Sequence, residues 1–143
     1  MLTVLLMENL KIAKQFIDAL PHSVALGMKL TKIGEGVAEL EMPYDKRFVG
    51  DPTTGVIHGG AVSALMDTCG GAAVMSHPDV SVGTATIDLR IDYMRPATPG
   101  QTIRTRAECY HVTRSVAFVR ATATDDDTSR PVATATGAFT VGS

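Results

Sequence analysis

The chain has no tryptophan, and only 5% of its 143 residues are aromatic, so no aromatic ligand cage is announced. It has two cysteines, Cys69 and Cys109, without C-x-x-C spacing, which argues against a zinc-ribbon or thioredoxin-type motif. Both lie in apolar segments and are expected to be small buried thiols of a reducing compartment. Neither sign of charge dominates. A formal charge of −2 and a pI near 6.0 argue against a nucleic-acid surface. The patterns G-x-S-x-G, H-E-x-x-H and Walker A are all missing, and neither a metal site nor a cofactor is expected. The opening MLTVLLMENLK starts with a mostly apolar run, six apolar residues among the first seven, with no Lys or Arg before it. That run is too short for a signal peptide or a membrane span, so a cytoplasmic protein that avoids membranes is expected.

What is present is enough for a packed core: 45% apolar and 20% charged residues, with no internal repeat and no low-complexity tract. The expected organisation is one domain over residues 1–143, with 1–24 as an N-terminal helical extension and 25–143 as the core. Leu10, Ala13, Phe16 or Ile17, and Leu20 recur at helical spacing, and Pro21 ends that helix. Two strands follow, near 26–33 and 37–42, joined by a turn at Gly34-Glu35-Gly36. Residues 43–54 read as a loop. A long apolar helix spans about Gly59 to Ser76 and stops at Pro78. In TATIDLRIDYM, Ala85, Ile87, Leu89, Ile91 and Tyr93 alternate with polar residues. Further strands cover 101–112, 115–124 and 131–141, with a charged turn at Asp125–Arg130. The fold class is therefore α+β, an antiparallel meander with one long helix. One helix cannot cover such a sheet, so curvature or a second copy of the chain is needed.

The long helix carries the chemical signal. Gly60, Ser63 or Ala64, Asp67, Gly70 or Gly71, and Val74 form a stripe of small residues interrupted by one carboxylate. An unpaired carboxylate on such a stripe is costly and leans towards function. At the helix start, His58-Gly59-Gly60 offers no Ser, Thr, Asp or Asn as a cap, so the first N–H groups are expected to be free for an oxygen that gains negative charge. Gly59 and Asp67 are eight residues apart, about 12 Å along a helix axis. One helix cannot bring both to a single carbonyl. Two antiparallel copies about a two-fold axis can, which predicts a homodimer with equivalent interfacial sites. A carboxylate and backbone amides suit acyl transfer to water. They suit thioesters best, because a thiol with a pKa of about 8.5 leaves as a thiolate without a general acid. Arg90, Arg95, Arg104, Arg106, Arg114 and Arg120 could bind a phosphorylated carrier such as coenzyme A.

The run G-V-I-H-G-G-A-V-S-A-L-M-D, followed by T-I-D-L-R-I-D-Y-M-R-P and Gly100, resembles the hotdog-fold acyl-CoA thioesterases of the phenylacetate-degradation (PaaI-like) type, over about Gly27 to Val141. The resemblance implies a long central helix wrapped by a curved antiparallel sheet of about six strands, with dimers often pairing into tetramers. It implies Asp67 as the catalytic acid, Gly59 as the oxyanion amide and Thr86 as an orienting hydroxyl. His58 and Gly60 would shape the substrate loop, while Tyr93 and Arg95 would line the path of a pantetheine arm. Coenzyme A enters only as part of the substrate. The chain departs from the pattern at Pro52, where many relatives carry Asn or Gln. Another group must then do that work, or activity is weaker.

Two other readings stay open on the residues. A hydratase or dehydratase of acyl thioesters normally uses an Asp–His pair, but His58 lies far from Asp67 of the same helix. A non-catalytic acyl-CoA-binding module would be expected to bring a second domain, for which this length leaves no room.

Overall fold

The computed structural model describes residues 2–81 and 83–142. Helix α1 spans Leu2–Asp18, and its last turn is tightened by the Ala19 and Leu20 amides, which donate to the carbonyls of Phe16 and Ile17. Pro21 does more than end that helix: it opens a second, short helix, α2 (Pro21–Ala25), at the first-turn position where its missing N–H costs nothing. Strands β1 (Lys29–Gly34) and β2 (Val37–Met42) form the expected hairpin. Its turn places Glu35 at φ 51° and Gly36 at φ 83°, left-handed values that favour glycine. The tract read as a loop contains a 3₁₀ turn at Lys46–Phe48 and a two-stranded ribbon, β3 (Val49–Asp51) with β4 (Val56–Ile57). Helix α3 runs Gly59–Ser76, and β5 (Thr86–Tyr93), β6 (Ile103–Val112), β7 (Val116–Thr124) and β8 (Ala133–Thr140) complete the chain.

The six long strands form one antiparallel sheet in the order β1-β2-β6-β7-β8-β5. The C-terminal strands are thus not a simple meander. β5 lies at the far edge beside β8, and β6 crosses over to pair with β2. Complementary charges accompany that crossover: Glu39 lies opposite Arg106, and Glu41 opposite Arg104. Alternation within a strand reports its faces, not its neighbours, which is why the crossover was not visible in β5 itself.

Helix α3 touches all six strands of this sheet, so the sheet must curl around it. Close approach is possible because the inner face is rich in alanine. Ala38 pairs with Ala107, Ala121 with Ala135, and Ala123 with Ala133, and all are buried. Against them α3 buries Val62, Leu65, Met66, Cys69, Ala72, Ala73 and Val74. Leu65 and Met66 are fully buried, each contributing about 2 kcal/mol. Gly70 and Val74 belong to this inner side rather than to the outer stripe. That outer stripe is Gly60, Ser63, Ala64, Asp67, Gly71 and Met75, which nothing in the chain fully covers. Among the described residues no helix is long and apolar enough to cross a membrane.

Gly70 sets how closely α3 sits on the sheet. A Cβ there would lie 2.9 Å from Cζ of Phe139, a ring that is itself 1% exposed and cannot swing away. Gly70→Ala gains about 1 kcal/mol of helix propensity but overpacks the core, which costs about 1–3 kcal/mol. Chemical denaturation of Gly70→Ala is expected to show net destabilisation, and Phe139→Leu in the same chain to recover part of it.

Candidate active site

Asp67 lies half-way along the uncovered side of α3. Its Oδ1 accepts a 2.6 Å hydrogen bond from the Thr86 hydroxyl, so the first residue of the edge strand orients the carboxylate. No described group bonds Oδ2. A cavity of about 240 Å³ opens beside it. Its walls include Phe16, Ile17 and Leu20 from the N-terminal segment, Gly71 and Met75 from α3, and Phe139 from β8, with Thr68 and Thr84 also on the lining. Asp67 is thus a half-buried acid at one end of an apolar cleft, and not an acid in open solvent.

The other group of candidate residues lies at the start of α3. The end of β5 reaches it: the Tyr93 hydroxyl donates to the Gly59 carbonyl at 3.0 Å. Tyr93 and Gly59 border a second cavity, of about 410 Å³, with Val62, Met94, Arg95 and Pro96. The helix N-terminus is not wholly free, contrary to the expectation from its missing cap residue. Nδ1 of His58 accepts from the Gly60 N–H at 2.8 Å, and the His58 carbonyl accepts from Ala61. Histidine fills the cap role here because Gly60 has no side chain to block the approach; a Cβ would lie 2.8 Å from Nδ1. The Gly59 N–H remains without an acceptor among the described residues. His58 and Gly60 open on a third cavity, of about 260 Å³, shared with His22 and Arg47.

The structure therefore brings the seven candidate residues into two groups, Asp67 with Thr86, and Gly59, Tyr93, His58 and Gly60 with Arg95 nearby. The groups are separated along α3. Arg95 is already occupied. Its guanidinium pairs with both oxygens of Asp125 at 2.7 and 2.8 Å and also donates to the carbonyls of Arg130 and Pro96. A substrate phosphate would have to displace a carboxylate that is 0% exposed. The arginine is better described as a clamp that ties the end of β5 to the 125–130 turn. Of the five other arginines considered for a phosphorylated carrier, four face carboxylates too: Arg90 with Asp92, Arg104 with Glu41 and Asp126, Arg106 with Glu39, and Arg120 with Glu108. At Pro52, the flanking Asp51 and Thr53 side chains bond each other in an exposed turn.

Sequence reasoning missed Asp125, hidden in T-D-D-D-T as one more turn acid, and the contribution of α1 to the Asp67 cavity. The amphipathic spacing of α1 was the one available signal for the second. Cys69 is held in the core, its thiol donating to the Ala38 carbonyl, and burial pushes its pKa up to about 12. Among the described residues no group of three or more His, Cys, Asp or Glu could hold a metal ion.

The family model described as Thioesterase superfamily matches residues 54–132, which include both halves of the site. The chain belongs to the thioesterase superfamily. Its chemistry is thioester hydrolysis, and its fold is the PaaI-like hotdog. Among proteins similar to this thioesterase, a crystal structure of a Pseudomonas aeruginosa protein is 40% identical, with TM-score 0.82 over 93% of this chain and 98% of that one. The medium/long-chain acyl-CoA thioesterase YigI of Escherichia coli is 26% identical over 92% of both chains. The PaaI protein from the phenylacetic acid degradation operon of Escherichia coli is 21% identical with TM-score 0.82, covering 92% of this chain and 91% of that one; it supports the fold.

The Arg95–Asp125 clamp gives a pH test. The Arg95 guanidinium, then the Thr98 and Asp127 amides, hold the Asp125 carboxyl well below its ordinary 3.8, although burial pushes it up. A depressed carboxylate stabilises fully above its unfolded pKa and loses that contribution as pH falls through the folded value. Asp125→Asn is expected to lower stability by about 3 kcal/mol at neutral pH. Thermal melts should show a gap from the parent thioesterase that is constant from pH 7 to about pH 4 and narrows below.

Proposed function

We propose that this thioesterase hydrolyses acyl- or aryl-acyl-coenzyme A at two equivalent sites built between two copies of the chain. Asp67 of one copy acts as general base or nucleophile, and the Gly59 amide of the other receives the carbonyl oxygen. The observation that carries the reading is the separation of two incomplete halves. Asp67 is oriented by Thr86, while the N–H without an acceptor among the described residues belongs to Gly59, at the far end of the same helix stretch. They lie about 12 Å apart along one helix. Edge strand β5 supports the pairing of two chains. It has eight residues, no proline and one unpaired side, and it leaves Ile87 and Tyr93 more than half exposed. Such an edge calls for a partner strand, and a second β5 brings the α3 helices together antiparallel. Dimers could pair further into tetramers.

In the general-base form, Oδ2 of Asp67 takes a proton from water as the water oxygen adds to the thioester carbon. The carbonyl oxygen becomes an oxyanion on the Gly59 N–H, and collapse breaks the C–S bond, releasing acid and thiolate. In the nucleophilic form the carboxylate itself adds, and water then cleaves the mixed anhydride. Neither form needs a strong acid for the leaving group. Acyl-CoA as substrate is supported by the resemblance and by the printed activity of YigI. Two free thiols accord with a cytoplasmic setting.

Asp67→Asn is expected to lose at least about a hundredfold in kcat while still binding a non-hydrolysable thioether analogue; retained turnover would overturn the role of Asp67. Mixing tests the shared site. Gly59→Pro removes the amide donor at a helix position that accepts proline, and His58, at ψ 134°, already has the extended backbone that a following proline requires. Each variant alone should be inactive. Co-refolded Asp67→Asn and Gly59→Pro chains should regain about a quarter of parental activity, because random pairing leaves one intact site in each heterodimer. No recovery would place the whole site within one chain.

A further inference from the structure

We infer that Phe16, from a second apolar stripe on α1, and Leu20, just beyond the helix, form with Met75 of α3 the wall that receives the substrate's acyl chain and sets its preferred length. The inference rests on the thioesterase reading and goes beyond it to specificity.

Helix α1 has two apolar sides with different fates. Leu10, Ala13 and Ile17 pack against the core, and Ile17 is 3% exposed. Ile12 and Phe16, four residues apart on another side, are 64% and 50% exposed. The fold does not need this second stripe, and exposed apolar side chains in a row point to a ligand or a partner. Its lower end enters the cavity that holds Asp67 and Thr86. Across the cavity stands Met75, another exposed apolar side chain. Between them Gly71 opens the floor: a Cβ there would meet only Phe139 and Thr84, both at 3.9 Å. Apart from Asp67, Thr86, Thr68 and Thr84, whose hydroxyl is already given to the Thr140 carbonyl, the lining of the cleft is apolar. That is the chemistry of an acyl thioester, whose carbonyl must reach Asp67 while its hydrocarbon avoids water. The occupant is an alkyl chain rather than a charged or sugar-like group, because Asp67 is the one charged side chain of the lining and Phe16, Leu20, Met75 and Phe139 outnumber the two further threonines, Thr68 and Thr84, of which Thr84 already bonds the Thr140 carbonyl.

The test is a series of saturated acyl-CoAs from butanoyl to hexadecanoyl, followed with a thiol-trapping dye in the parent, Phe16→Ser, Met75→Ala and Gly71→Ala. Phe16→Ser and Met75→Ala are expected to lower the ratio of kcat/KM for dodecanoyl- over butanoyl-CoA by about tenfold, chiefly through KM. Gly71→Ala, which raises the floor without a clash, should move the optimum to shorter chains. Melting curves and light scattering accompany each variant. An unchanged length profile in all three overturns the inference and leaves the thioesterase reading standing. Loss of the dimer together with an equal fall at every chain length assigns the stripe to subunit packing, which also overturns it. A parent that hydrolyses no member of the series overturns the underlying reading and the inference with it.

Discussion

A helix that is apolar on nearly every side can be covered by one sheet on only one of them. Helix α3 presses Leu65, Met66, Cys69 and Val74 into the curl of its sheet and leaves Gly60, Ser63, Ala64, Asp67, Gly71 and Met75 facing outwards. Those outward residues are too small and too apolar for a solvated surface, and one of them is an acid. The rest of the structure follows from that half-covered helix. The alanine-rich inner face lets the sheet close around it, and the edge strand and α1 supply what cover a single chain can give.

Strand β5 translates that constraint into a site. Its first residue, Thr86, holds Asp67, and its last, Tyr93, holds the Gly59 carbonyl. One strand thus fixes both halves against α3. Just past its end, Arg95 is locked on Asp125. A displacement of β5 would disturb the acid, the helix start and the clamp together. Its free edge is also the natural line of contact for another chain. The cross-strand pairs on the outer face of the sheet are exposed, and each adds little on its own. They accompany the strand order around the site more than they stabilise it.

Much of the fold was legible because its signals are local. Gly59, Ser76 and Pro78 punctuate α3, and the Gly34-Glu35-Gly36 turn needs left-handed angles that glycine supplies readily. The placement of β5 was not legible, since alternating Ile87, Leu89 and Ile91 report a face and say nothing of which strand lies alongside. Asp67 stood out because an acid among small residues breaks a local rule, the kind of breach expected at functional sites. Asp125 gave no such sign: in T-D-D-D-T it reads like its exposed neighbours, and only the docking of Arg95 makes it the buried one. The His58 cap was hidden for a different reason. Histidine is not among the usual capping residues, and its fit depends on the missing side chain of Gly60. The α1 wall depends on where a helix docks, which its own periodicity cannot reveal.

On the proposed reading, the surface that leaves α3 incomplete also leaves the chemistry incomplete, which would link catalysis to association. If the outward stripe of α3 and the free edge of β5 are buried by a twin, the apolar area that holds two chains together is the area that juxtaposes Asp67 and Gly59. Association then supplies the orientation that a single helix cannot, and by excluding bulk water it strengthens the hydrogen bond from the Gly59 amide to a developing oxyanion. Small residues on the stripe follow from both demands at once. Larger ones would stabilise an isolated helix better, yet would hold the two halves apart. Four glycines in α3, each costing about 1 kcal/mol against alanine, make physical sense in a helix that lies close to its sheet on one side and, on the proposed reading, close to a partner and a substrate on the other.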